Sequence, residues 1–260
     1  MLDVALALIL FLLGVSVGSF LNAVADRVPA GKSIIRPPSH CFNCGHELEP
    51  RDLFPIVSYL LLRGKCRYCG HAIGPRSMLV ELATGLLFAL AFTALGLTWQ
   101  LPAALIYCSL FVVLFITDLE QGILPHVIVY PGIALALTLA LSNPLTGIVP
   151  NFIDCAAGLG LSFGFFFLLW AVPRIFKKSV LGFGDVGMAG LIGASVGFPQ
   201  ILVALYIAVL AGGITAALLI VFKVNKLNQP LQFGPFMASA GLIMLFHGKE
   251  IIDACSRLFW

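Results

Sequence analysis

The sequence predicts an all-α polytopic membrane protein, with about eight transmembrane helices and a small zinc-binding cytoplasmic insert between the first two. Three observations carry this expectation. The 260 residues are 60% hydrophobic and only 10% charged, against about 25% charged in ordinary soluble domains. Apolar stretches of about 20 residues, long enough to cross a bilayer core as helices, recur along the chain. The 15 Lys and Arg residues gather in a few connections instead of scattering. So few charges cannot cover a water-facing surface, which excludes a soluble domain.

The first apolar stretch, 4–25, is preceded by no Lys or Arg, the first being Arg27. A secretory signal needs a basic segment ahead of its apolar core, so this stretch reads as a retained span. Seven further spans are expected at 79–97, 102–118, 126–142, 152–172, 184–198, 199–222 and 233–247, the sixth short and Gly-rich. Eight basic residues, Arg27, Lys32, Arg36, Arg51, Arg63, Lys65, Arg67 and Arg76, lie between spans one and two. The positive-inside rule makes that connection cytoplasmic and the N-terminus external. Alternating sides then puts Arg174, Lys177, Lys178, Lys223 and Lys226 inside as well, with only Lys249 and Arg257 outside. The outer connections 98–101 and 143–151 hold no Lys or Arg. Three regions follow: the first helix (1–25), the insert (26–78) and a seven-helix membrane domain (79–260). The basic loop is modest, and nothing points to nucleic-acid binding.

Within the insert, Cys41-Phe42-Asn43-Cys44 and Cys66-Arg67-Tyr68-Cys69 form two CxxC pairs with 21 residues between them, each followed by Gly45 or Gly70. Four thiolates so spaced suit the closed tetrahedral coordination of structural zinc. A reducing compartment disfavours disulfides, and so small a domain gains folding free energy from a bound metal. Cys108, Cys155 and Cys255 stand alone and read as small packed hydrophobes. The Gly14-x-x-x-Gly18 spacing reads as internal helix packing ahead of dimerisation.

Ionisable groups in or beside spans are costly and therefore functional candidates; here they are Glu81, Asp118, Asp154 and Asp185. Asp118 ends the outward-to-inward third span and Asp185, within Gly182-Phe183-Gly184-Asp185, opens the inward-to-outward sixth. Both therefore fall near the cytoplasmic interface, whereas Asp154 falls on the other side. Two carboxylates held close share a proton, one acting as base on water and the other as acid toward a peptide carbonyl. Gly182 and Gly184 would let an extended substrate approach. Each aspartate also has a plain structural reading, Asp185 as a helix cap and Asp118 as the flank of its span.

These residues together resemble the type IV prepilin peptidase/N-methyltransferase family of GxGD-type membrane aspartyl proteases. The resemblance runs through Gly18-Ser19-Phe20-Leu21-Asn22, Asp26-Arg27-Val28-Pro29, the paired CxxC insert with Pro55-Ile56-Val57-Ser58-Tyr59-Leu60, Ile73-Gly74-Pro75-Arg76, Glu81, the Asp118 segment with Leu124-Pro125, and Gly182-Phe183-Gly184-Asp185. It implies a catalytic pair of Asp118 and Asp185 that removes the leader of prepilins and pseudopilins at the cytoplasmic face of the bacterial inner membrane. It also implies methylation of the new N-terminus from S-adenosylmethionine, a function associated with the cysteine-bearing insert; no methyl-donor motif is legible in 26–78. The chain departs from the family pattern at His126, where an acidic or amide residue is common, and at Gly187, where lysine is. The competing expectations are a leader peptidase without methylation, against which the CxxC pairs speak, and a zinc-bearing scaffold or transporter subunit. A transporter would place charges near mid-membrane in repeated halves, a pattern not found here.

Overall fold

The computed structural model describes residues 2–141, 150–176, 181–222 and 232–259, apart from the side chains of Cys255, Leu258 and Phe259. Lys177, Lys178, Lys223, Lys226 and most of the 143–151 connection lie outside the described residues, as does the Cys255 side chain. The described residues fold as helices and turns, with two isolated antiparallel bridges in the insert. They form two compact units, Met1–Leu101 and Pro102–Trp260.

Unit one holds α1 (Leu2–Arg27), a 3₁₀ turn (Pro50–Asp52), the short α2 (Val57–Leu61) and α3 (Arg76–Leu95). Apolar residues surround α1 and α3 on all sides, so neither has a polar face, and what fixes their contact is the placement of small residues. A Cβ on Gly14 would sit 2.7 Å from the Thr84 carbonyl, and one on Gly18 would sit 2.8 Å from the Glu81 Cα. Gly85 answers from α3, with Val15 at 2.6 Å from its Cβ position. The two backbones therefore pack at near-contact distance. The internal-packing reading of Gly14-x-x-x-Gly18 is what the helices use.

Unit two holds α4 (Leu101–Gln121), α5 (His126–Leu141), α6 (Phe152–Ile175), α7 (Phe183–Val196), α8 (Gln200–Val221) and α9 (Gly234–Phe259). A helix appears at each of the eight apolar stretches. Five of them, α1, α3, α4, α6 and α8, are long and apolar enough to cross a membrane, while α5 and α7 are shorter apolar helices. At 1.5 Å per residue, the 14 residues of α7 extend about 21 Å, less than a bilayer core of about 30 Å. Every residue from Val186 to Val196 is buried, as expected of a helix that is apolar all round and enclosed by others. Its glycines make that enclosure possible. A Cβ on Gly193 would strike the Gly158 carbonyl and the Ser162 hydroxyl of α6, Gly190 faces Phe163 and Leu159, and a Cβ on Gly187 would lie 3.1 Å from Val129 of α5. Gly197, at φ +74°, ends the helix, and the following Phe198 N–H donates to the Asp154 carbonyl.

Four helices outrun their expected ends, α1 and α6 by a few residues, and α4 and α9 in ways that bear on the site. α4 continues one turn past Asp118 and stops at Gly122 (φ +64°), whose N–H donates to the Asp118 carbonyl at 2.8 Å. α9 continues through the polar stretch after residue 247, where His247 meets Glu250 at 3.1 Å.

Candidate active site and metal centre

In the insert, both CxxC pairs adopt one backbone pattern. Cys41 N–H donates to His46 O (2.9 Å) and Gly45 N–H to Cys41 O (2.8 Å); Cys66 N–H donates to His71 O (2.8 Å) and Gly70 N–H to Cys66 O (2.9 Å). Gly45 and Gly70 turn the chain at φ +71° and +68°, where a side chain is strained. The turns aim the four sulfurs at one another, all within 4.8 Å, with Cys41 Sγ and Cys69 Sγ 3.9 Å apart. Four sulfurs at about 2.3 Å from a tetrahedral metal are about 3.8 Å apart, so the donor set fits such an ion. The thiols also resist ionising together. Backbone N–H groups of Cys44 and Asn43 hold Cys41 down to about 6. At Cys44 the His46 N–H favours the thiolate, yet burial and the Cys41 and Cys69 sulfurs push it up to about 11. A cation at the centre would offset that mutual repulsion.

The knuckles are braced from outside. Asp52 accepts from Arg67 Nε (2.6 Å), the Tyr68 hydroxyl (2.9 Å) and the Glu49 N–H (3.2 Å). His46 lies on the Tyr68 ring at 3.6 Å between centroids, tying the first knuckle to the second.

In unit two, Asp118 sits in the last turns of α4 with only 6% of its surface exposed. Its Oδ2 accepts the Gly234 N–H at 2.8 Å, so the carboxylate lies at the start of α9, where the helix dipole favours an anion. Asp185 occupies the first turn of α7, and its Oδ2 accepts the Gly182 N–H at 3.1 Å. The two carboxylates are near enough for charge on Asp118 to act on Asp185. Beside Asp185, the α4–α5 connection packs on the GxGD segment: Leu124, buried there, places its Cβ 2.9 Å from where a Gly184 Cβ would stand. The space that a Gly184 side chain would need is taken by Leu124. Gly182 caps its own helix through Asp185. Asp154 stands apart from the pair, accepting from Asn151 Nδ2 at 2.8 Å at the start of α6.

Sequence reasoning missed Gly234, whose only local signal is its place before Pro235 at the head of the last apolar stretch. It also missed an aromatic row beside Asp185. Arg174 lies over the Trp170 ring at 4.2 Å, Trp170 meets Phe183 at 5.1 Å, Phe183 meets His126 at 5.8 Å, and His126 stacks on Tyr130 at 5.3 Å. His126 is thus part of a ring cluster adjoining the GxGD segment.

The chain matches two family models: the Bacterial Peptidase A24 N-terminal domain over residues 12–95 and the Type IV leader peptidase family over residues 105–219. The four clustered cysteines fall in the first match and both aspartates in the second. Among curated proteins it is similar to several called prepilin leader peptidase/N-methyltransferase. That of Myxococcus xanthus is 38% identical over 82% of this chain, which spans only 63% of that relative's length. That of Pseudomonas aeruginosa is 34% identical over 95% of this chain and 92% of its own. That of Bacillus subtilis is 31% identical over 94% and 96%. No solved structure matches. With a third of its residues identical to relatives that it covers almost end to end, the chain belongs to the type IV leader peptidase family.

Proposed function

We propose that this protein removes the leader peptide of type IV prepilins and related pseudopilins at the cytoplasmic face of the bacterial inner membrane and methylates the new N-terminus. Asp118 and Asp185 form the proteolytic pair. The single observation that carries the proteolytic half is that two carboxylates from distant segments, each accepting one glycine N–H at a helix start, lie near enough for charge on Asp118 to act on Asp185. One N–H per carboxylate leaves the remaining oxygen lone pairs for a water and a shared proton. One aspartate takes a proton from the attacking water while the other protonates the peptide carbonyl oxygen. The protonation roles then reverse as the amine leaves.

The methyl group comes from S-adenosylmethionine, a donor that the N-methyltransferase name of the relatives implies. The cysteine cluster holds zinc as a structural ion: its four thiolates leave no open coordination position for chemistry. The N-terminus lies outside and the insert inside, as the Lys and Arg asymmetry requires.

The test uses purified protein in lipid, a prepilin and S-adenosylmethionine, with product masses read for wild type, Asp118→Asn and Asp185→Asn. Wild type yields a shortened, methylated pilin and each amide variant leaves the prepilin uncut. Persistent cutting by either variant removes that residue from the pair.

A further inference from the structure

Between α1, α3 and the insert, unit one encloses a cavity of about 530 Å³, within the range of small-ligand sites. Two polar residues of its lining are more than nine-tenths buried: Asn22 is 7% exposed and Glu81 is 7% exposed. Asn22 Nδ2 donates to the Ser77 carbonyl at 3.1 Å. That contact fixes the amide's orientation, and it leaves Oδ1 buried with no hydrogen-bond partner. A buried acceptor without a donor is costly, and Asn22 belongs to the lining of the cavity.

Glu81 adds a carboxylate to the same wall. It accepts the Ile56 N–H at 2.7 Å and interacts with the Ser19 hydroxyl. Ile56 presents that N–H from φ +59°, a conformation rarely taken by a β-branched residue, and such strain persists where the surroundings impose it. The other acids of the wall are already matched: Asp52 by Arg67 at 2.6 Å and Asp26 by Arg76 at 2.7 Å. Lys32, Lys65, Arg27 and His40 supply the remaining ionisable nitrogens of the lining. Asn22 and Glu81 therefore bring two acceptors to the lining of one ligand-sized cavity, and among the described residues Glu81 has no salt-bridge partner.

We infer that this cavity is the methyl-transfer site, and that Asn22 Oδ1 and the Glu81 carboxylate grip the α-ammonium of the newly cut pilin. The inference rests on the methyltransferase half of the proposed function. An α-ammonium brings three N–H donors, which suit one amide oxygen and one carboxylate. Glu81 takes one proton and frees the nitrogen lone pair. The lone pair forms a bond to the methyl carbon of a sulfonium donor as the carbon–sulfur bond breaks, its electrons staying on sulfur to leave a neutral thioether. The resulting secondary ammonium carries the positive charge that the donor lost.

The experiment uses the full-length protein in nanodiscs with a peptide copying a cut pilin's N-terminal segment, free or N-acetylated at the amine. Wild type should bind the free-amine peptide about tenfold more tightly than the acetylated one, the scale of a lost charge-assisted contact. Glu81→Gln, which still accepts the Ile56 N–H, and Asn22→Leu should erase that preference while cutting prepilin at the wild-type rate. In Glu81→Gln, methylation should fall about a hundredfold at pH 7 and recover above about pH 8.5, where solvent deprotonates an α-amine of ordinary pKa near 8. Wild-type amine preference and an unchanged methylation profile in Glu81→Gln would overturn the assignment. If wild type cuts prepilin yet never methylates it, the methyltransferase reading itself falls, and this site with it.

Discussion

Asp118 and Gly234 are 116 residues apart in the chain, yet the Gly234 N–H donates to Asp118 Oδ2 at 2.8 Å. The approach is so close that a Cβ on Gly234 would lie 2.5 Å from that oxygen and 2.9 Å from the Asp118 Cβ. Neither neighbour can swing away, because Asp118 is buried. Gly234→Ala should therefore displace the carboxylate from the start of α9 and lower prepilin cleavage about tenfold or more, since misplacing a catalytic group by about 1 Å costs up to a hundredfold. Initial rates of prepilin cutting check this, with the yield of folded protein from detergent as the control. An unchanged rate would mean that the α9 contact does not position Asp118.

Gly184 makes a second prediction of the same kind on the other aspartate. The atom that a Gly184 Cβ would strike, at 2.9 Å, is the Leu124 Cβ, which is tied to backbone and cannot rotate out of reach. Gly184→Ala should cost about 1–3 kcal/mol of stability through overpacking and slow cleavage by moving Asp185. The double variant Gly184→Ala/Leu124→Ala keeps the Leu124 Cβ and should recover little, whereas Gly184→Ala/Leu124→Gly should recover more. Thermal unfolding and cleavage rates measured side by side would separate the two; equal recovery would place the clash elsewhere.

The helices and the candidate residues were legible in the sequence because their signals are local. Apolar length marks a helix, Lys and Arg mark its flanks, and the CxxC spacing needs only four positions in a row. Partners far along the chain left no such mark. Nothing near Asp118 points to Gly234, and nothing near Gly184 points to Leu124 as its packing partner. Helix ends were blurred for a related reason: α4 passes Asp118 because Gly122, not the charge, ends it. The shortness of the sixth span was visible, and Gly197 ends it; why it is Gly-rich was not, because that answers to the close approach of α6 at Gly193, a tertiary fact.

Acid should loosen the insert at Asp52. Burial alone would raise this carboxyl, but its bonds from Arg67, Tyr68 and the Glu49 N–H outweigh burial and hold it below its ordinary value. A carboxylate so depressed adds stability that is present above its unfolded pKa of about 3.9 and is lost as pH falls through the folded value. Limited proteolysis of the full-length protein should show the insert becoming cleavable below about pH 4. Asp52→Asn should be more sensitive already at neutral pH and lose most of that acid step. An acid step of the same size in Asp52→Asn would assign it to other carboxylates.

Metal removal tests the cysteine cluster. Because the two knuckles face each other through sulfur and are otherwise joined mainly by the Asp52 and His46–Tyr68 contacts, they should separate when a ligand is lost. Cys66, the buried one of the four, is the strongest probe. Purified wild type should carry about one zinc per chain, the stoichiometry of a closed four-thiolate site, measured by elemental analysis. Cys66→Ser should carry far less and should be cut by protease within residues 28–75. The Asp118/Asp185 pair belongs to the other compact unit, so prepilin cutting should survive in Cys66→Ser while methylation fails, because the knuckles help wall the unit-one cavity. Loss of both activities together in a variant that still holds its membrane helices would instead make the metal a support for the whole enzyme.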